Sequence, residues 1–349
     1  MIQTKIYEIE KITRLIAAFK RAPYQRNRIY ESDSEILDFG LEKNIAITSD
    51  ILCEEIEWGL ISDPYVMGWV NVTASLSDLA AVAAEPLGVL VGLSHSQSTS
   101  QDFLSRFWQG TREALDEHQT FLLGGDTNIS NSFLVSCTGI GQRAKSTLLN
   151  RKGINDGDLV YLSGPVGMGT AVGFANFVVK PKSATMASQI EPMFKPKARL
   201  SEAHVIAKFA SSCIDTSDGL LAAVDFLSQL NQIQMELTLS KTHFHSICWQ
   251  LVDQLKIPWI LFSSIHLGEF ELLFTIPPQN QTAFEMEMRQ KNFSFLKIGQ
   301  IRSAFSQLHV NGCAIDLNPI RNLLNDLKDP SLYLGSQQRW ASGLAIPLI

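Results

Sequence analysis

The chain has 349 residues, of which 45% are hydrophobic and 18% charged, and its formal net charge is −6. This length is a prior for about two domains, each able to bury a substantial core. The acidic balance argues against a nucleic-acid surface, which requires clustered Lys and Arg. The cysteines, Cys53, Cys137, Cys213, Cys248 and Cys313, are odd in number and widely spaced, with no CxxC pair, so they read as reduced core residues and not as a disulfide framework or zinc site. No apolar run approaches the roughly 18 residues of a membrane span, and Met1–Lys5 opens no signal-peptide core, so a cytoplasmic protein is expected.

Ile9, Ile12, Leu15, Ile16 and Phe19 recur at helical spacing and predict an amphipathic helix over residues 8–20. Glu31-Ser32-Asp33-Ser34-Glu35 precedes Ile45–Leu52, a β-like run interrupted by Thr48-Ser49-Asp50. Three polar groups inside a buried strand are costly unless they find partners; a metal or phosphate would serve, as would an exposed strand end. Residues 69–84 read as a buried helix stopped by Glu85-Pro86, and it carries Asp78 among small and apolar residues, as a cap or as a ligand. A strand over 87–93 and an amphipathic helix over 101–119 follow. Phe121–Asn128 is an apolar run ending in Gly124-Gly125-Asp126-Thr127; it predicts a buried strand that breaks into a tight turn, with Asp126 at the mouth of the core. A plain turn in which Asp126 bonds its own backbone is the alternative. Phe133–Gly141 is a further strand.

A second unit begins near Leu149-Asn150-Arg151-Lys152-Gly153, and Leu159–Leu162 is its first strand. Ser163–Gly169 is a glycine-rich turn able to present N–H groups to an anion, although it lacks the Gly-Lys-Ser/Thr ending of a P-loop. After a loop over 180–196 and a helix over 200–210 comes Ile214-Asp215-Thr216-Ser217-Asp218-Gly219-Leu220. Its two carboxylates, with hydroxyls between them, either converge on one cation or cap a helix over 220–230. Strands follow at 270–276 and 295–301. The predicted units are 1–143, for metal, nucleotide and dimerisation, then 144–310, then an extension over 311–349. The class is α/β or α+β with mixed sheets and flanking helices.

Asp33, Asp50, Asp78, Asp126, Asp215 and Asp218 each lie where an apolar element breaks, or beside hydroxyls and small residues. Converging without cations they would repel one another, whereas Mg²⁺ ions and a polyphosphate would neutralise them. That pattern is phosphoryl-transfer chemistry, which rests on positioning and charge neutralisation.

The order Thr-Ser-Asp, Ser-Leu-Ser-Asp-Leu-Ala-Ala, Gly-Gly-Asp-Thr, Asn-Arg-Lys-Gly, Ile-Asp-Thr-Ser-Asp-Gly-Leu and Glu-Leu-Leu-Phe-Thr resembles the thiamine-monophosphate kinase family of the aminoimidazole ribonucleotide synthetase-like ATP-binding superfamily. The resemblance implies a two-domain fold of that superfamily and a homodimer whose N-terminal strands form a barrel across the interface. It also implies ATP and Mg²⁺ in a groove shared between subunits, and direct in-line transfer to thiamine monophosphate. It implies Mg²⁺ ligands at Asp33, Asp50, Asp78, Asp126, Asp215 and Asp218, with Thr48 and Ser49 beside them. Nucleotide contacts fall at Gly124, Gly125, Thr127, Arg151 and Ser217, catalytic roles at Asp126 and Asp218, and acceptor contacts at Glu57, Glu271 and Trp340.

The chain departs from the family pattern at Ser32, at Glu57-Trp58 where His-Phe is common, at Met168 in the glycine turn, and at Gly268 in His266–Glu271. These departures keep two alternatives open: ATP used on another small acceptor, and a non-catalytic nucleotide-binding protein.

Overall fold

The computed structural model describes residues 6–17, 19–28, 30–147, 149–179, 188–264, 267–323 and 329–349. Met1–Lys5, residues 180–187 of the expected loop and His266 therefore lie outside the described residues.

The N-terminal half is a mixed sheet of β1 (Glu35–Leu37), β2 (Lys43–Leu52), β3 (Glu85–His95), β4 (Leu122–Ile129) and β5 (Leu134–Ala144). Their order is β1-β2-β5-β3-β4, with only β3 and β4 parallel. Strand β2 alternates as a half-buried strand must: Asn44, Ala46, Thr48 and Leu52 face inward, and Ser49 and Ile51 face outward.

Helix α1 (Tyr7–Ile16) and the short α2 (Glu54–Glu57) precede α3 (Pro64–Ala81), which packs on this sheet beside α4 (Gln101–Glu117). Helix α3 starts earlier than residue 69 because Asp63 caps it, accepting from the Tyr65 N–H at 2.9 Å, and Pro64 occupies the first turn. Pro86 lies inside β3, so the helix ends before it.

The C-terminal half is a second mixed sheet, ordered β12-β11-β8-β10-β6-β9-β7. Its strands are β6 (Leu159–Leu162), β7 (Ser212–Asp215), β8 (Met235–Leu237), β9 (Leu272–Ile276), β10 (Leu296–Ile301), β11 (Leu308–Val310) and β12 (Cys313–Ile315). Strands β6, β7 and β9 are buried on both faces. Helices α5 (Met168–Phe174), α6 (Leu200–Phe209), α7 (Leu220–Asn231), α8 (Ser246–Leu255), α9 (Gln281–Gln290) and α10 (Pro330–Ser342) flank it. Helix α3 also touches β7 and α6, so one helix serves both sheets and carries Asp78 to their junction. The two halves share one apolar cluster, which includes Leu76 and Leu79 of α3 together with Leu162, Ile214 and Leu273, while Ala80 and Ala81 belong to a second cluster with Tyr161 and Cys213.

Two expectations are corrected here. The Phe121–Asn128 run is no buried strand ending in a turn: β4 continues through both glycines to Ile129, at the sheet edge, with every residue exposed. Phe121 is 69% and Ile129 57% exposed, and Leu122 and Leu123 are open beside them. Gly125 permits this run, because a Cβ there would fall 1.8 Å from the Val91 carbonyl oxygen of β3. Its close backbone approach is thus to the neighbouring strand. The second correction concerns residues 311–349: they supply β12 and α10, the latter capped by Asp329, with Pro330 in its first turn.

All five cysteines are free, and Cys137, Cys213 and Cys248 are buried. Among the described residues, no helix is long and apolar enough to cross a membrane.

Candidate active site

Three carboxylates converge at the junction of the sheets. Asp33 comes from the loop before β1, Asp78 from the last turns of α3 and Asp215 from the end of β7. Each offers an oxygen within 4.8 Å of the other two. Asp50 of β2 joins them and is held by the Ser75 hydroxyl at 2.7 Å, while the Thr48 hydroxyl donates to Asp78. Asp215 accepts from the Ser217 hydroxyl at 2.9 Å. Arg151, in the connection between the sheets, makes two hydrogen bonds to Asp33, at 3.0 and 2.6 Å, and its guanidinium lies 4.7 Å from the centre of the Phe226 ring.

Burial and mutual repulsion dominate the electrostatics. Burial first, then the charges of Asp50, Asp215 and Asp33, hold Asp78 well above the usual carboxylate range. Asp50 is raised by burial, against the pull of Ser75, and further by Asp33 and Asp218. Asp215 is pushed up to about 7 by burial and then by Asp33. Its Oδ2 is buried and has no hydrogen-bond partner. Such a buried cluster of hard oxygen donors is a candidate site for a divalent cation.

The cluster forms one end of a cavity of about 750 Å³. Asp50, Asp78, Asp215, Asp218 and Ser217 line it on the acidic side; Trp58, Phe226, Phe270 and Tyr333 line it with aromatic surface. Trp58 and Tyr333 are in ring contact at 5.5 Å. Phe270 adopts a left-handed φ of +59°, uncommon for an aromatic residue, and this shortens β9 relative to the expected strand. Gly268 beside it is obligatory, since a Cβ would meet the Thr216 carbonyl at 1.7 Å.

The sequence-derived set thus divides. Asp33, Thr48, Asp50, Asp78, Arg151, Asp215, Ser217 and Asp218 come together. Ser49 points to the opposite face of β2 and meets Thr138. Gly124, Gly125, Asp126 and Thr127 lie on exposed β4, where Asn128 donates to Asp126 at 2.7 Å, and they do not line this cavity. Glu57 is exposed, while its neighbours Glu55 and Trp58 line the cavity.

Trp340 is also outside the cavity: its indole donates to the Asp316 carbonyl at 3.0 Å, and Tyr333, seven residues earlier on α10, faces the cavity instead. The Asp329-Pro330 pair was the sequence signal for that helix.

Glu271 is 4% exposed and gripped by Arg199, whose Nε donates at 2.8 Å, with a second hydrogen bond from the same guanidinium. Removing one partner of a buried pair leaves the other uncompensated, so Glu271→Ala is expected to destabilise the fold by about 3–5 kcal/mol. Urea unfolding will show this as a lower midpoint.

The glycine turn is not free for an external anion. Glu269 fills it, accepting from the Gly169 N–H at 2.6 Å. Burial pushes Glu269 up to about 8 against the pull of that N–H; Glu271, His245 and Cys248 are its titratable neighbours. A carboxyl raised on folding contributes stability that is full below its unfolded pKa and is lost as pH rises through the folded value. The Tm of the wild type is therefore expected to fall more steeply between pH 5 and 9 than that of Glu269→Gln, as thermal scans across that window will test.

With this geometry in view, comparison with known proteins is informative. Residues 31–142 match the family model described as AIR synthase related protein, N-terminal domain. The chain is 27% identical over 303 residues to the thiamine-monophosphate kinase of Buchnera aphidicola subsp. Acyrthosiphon pisum, covering 85% of this chain and 91% of that protein. It is 27% identical over 262 residues to that of Haemophilus influenzae, covering 74% and 77%.

Among solved structures, AaThiL complexed with AMPPCP and TMP superposes with a TM-score of 0.73 at 20% identity, over 90% of this chain and 98% of that one. Escherichia coli HypE, a hydrogenase maturation protein, gives 0.65 at 13% identity, over 88% and 97%. At such identities the superpositions establish the fold. Residues 31–142 thus carry an AIR synthase related N-terminal domain, and the chain as a whole is similar to thiamine-monophosphate kinases.

Proposed function

We propose that the protein is an ATP- and Mg²⁺-dependent phosphotransferase that converts thiamine monophosphate to thiamine diphosphate in the cytoplasm. The observation that carries this reading is a cavity lined both by members of the carboxylate cluster and by aromatic side chains. The kinases that resemble the chain over most of their length bear the matching name.

Asp33, Asp78 and Asp215, with Asp50 and Asp218 alongside, would hold Mg²⁺, which neutralises phosphate charge when bound. An oxygen of the acceptor phosphate attacks the γ-phosphorus of ATP as the bond to the β–γ bridging oxygen breaks, and ADP leaves. Arg151, paired with Asp33 in the cluster, would add positive charge beside the transferring group, and Ser217 would donate to it. Trp58 and Tyr333 offer the acceptor's rings a stacking surface.

A homodimer is part of this reading. A second copy covers the exposed β4 face, the two N-terminal sheets together forming a barrel, and brings its own Asp126, Gly124, Gly125 and Thr127 to the nucleotide. The apolar exposure of Phe121, Leu122, Leu123 and Ile129 supports such a contact.

Incubation with ATP, Mg²⁺ and thiamine monophosphate is expected to yield thiamine diphosphate and ADP in equal amounts by chromatography. Absence of product with ATP binding intact overturns the reading, and turnover with a different acceptor replaces it.

A further inference from the structure

Asn71 lies on α3, is 1% exposed, and has no hydrogen-bond partner for either its Oδ1 or its Nδ2. Buried amides are nearly always paired, so two orphaned atoms on one side chain call for an explanation. Asn71 lines the same cavity as Asp78. Seven residues separate them, two helical turns or about 10.5 Å, which sets both on one face of α3. Asn71 is therefore two turns from the carboxylate cluster, in a cavity that also receives Trp58 and Tyr333.

We infer that Asn71 is a specificity-determining residue that reads the aminopyrimidine ring of the phosphoryl acceptor. This rests on the reading of the cavity as a thiamine monophosphate site. A carboxamide presents one acceptor and one donor side by side. Its complement is a ring edge carrying an exocyclic amino group next to a ring nitrogen, the pairing by which Asn recognises adenine. The aminopyrimidine has that edge.

The adenine of ATP has it too, but its base is separated from the transferring phosphoryl group by two phosphates and a ribose. A spacing of about 10.5 Å from the cluster suits a phosphate monoester joined to two rings. The aromatic pair Trp58 and Tyr333 supplies the π-surface that such rings require.

The test is calorimetric titration of the full chain with thiamine monophosphate and, separately, with AMPPCP and Mg²⁺. Asn71→Leu is expected to weaken thiamine monophosphate binding by about 10- to 100-fold and to leave the AMPPCP affinity as it is. Its Tm is expected to equal or exceed that of the wild type, because an unpaired buried amide has been replaced by an apolar group of similar shape. The wild type is expected to lose a similar factor against an analogue whose ring amino group is replaced by methyl, a result that needs no variant to fold.

Unchanged thiamine monophosphate affinity in Asn71→Leu, or no discrimination against the analogue by the wild type, overturns this inference and leaves the proposed function standing. Weakened AMPPCP binding alone overturns it in favour of the adenine. A wild type that does not bind thiamine monophosphate overturns the proposed function, and this inference with it.

Discussion

Asp78→Asn is expected to lower phosphoryl transfer by about 10³-fold or more, the cost of losing several kcal/mol of metal-borne charge stabilisation, while the protein stays folded. Asp78 is central to the cluster: it lies within 4.8 Å of Asp33 and Asp215, and Thr48 donates to it. An amide keeps the acceptor oxygen for Thr48 and fits the same space, so the change removes charge and little else. Because burial and neighbouring carboxylates already disfavour ionised Asp78, the metal-free variant should melt at or above the wild-type temperature. Steady-state kinetics together with thermal scans check both halves. Turnover close to that of the wild type would show that the phosphoryl group is transferred elsewhere.

The second large effect concerns Asp126, which β4 carries on an exposed edge away from the cavity of its own chain. If a second copy supplies it, Asp126→Asn and Asp78→Asn should each be inactive alone and should complement one another when mixed, unfolded and refolded together. Half of the resulting dimers are then mixed, and each mixed dimer has one site with both carboxylates intact, so about a quarter of wild-type activity should return. A site assembled within one chain gives no recovery at all. Activity of the refolded mixture, measured against each variant refolded by itself, decides between the two arrangements.

Much of the site was legible because local chemistry marked it. Asp215 and Asp218, with Ser217 between and a glycine after, precede a helix that formed as expected, while the short strand ahead of them, Ser212–Asp215, had not been anticipated. Asp78 and Thr48 were visible as polar groups in apolar elements, where burial without a partner is costly. The acceptor side was harder to read, since it is assembled from the face of one helix and the turn of another: Tyr333 and not Trp340 faces the cavity, and Glu271 is bound to Arg199. Neither fact follows from spacing. Asn71 was invisible for a related reason, because only a folded chain reveals whether a polar residue in an apolar helix has found a partner. Strand β4 misled in another way: its apolar run reads as a buried strand, yet the fold leaves it exposed at a sheet edge.

That same strand has a consequence for how the protein behaves in a dilute solution or a crowded cell. An apolar strand at a sheet edge, with unpaired backbone groups along it, is a template for unwanted strand pairing. Asp126 is the single charge within Leu122–Ile129. It therefore stands as the strand's gatekeeper against aggregation, and under the proposed dimer the same carboxylate would serve both solubility and the phosphates.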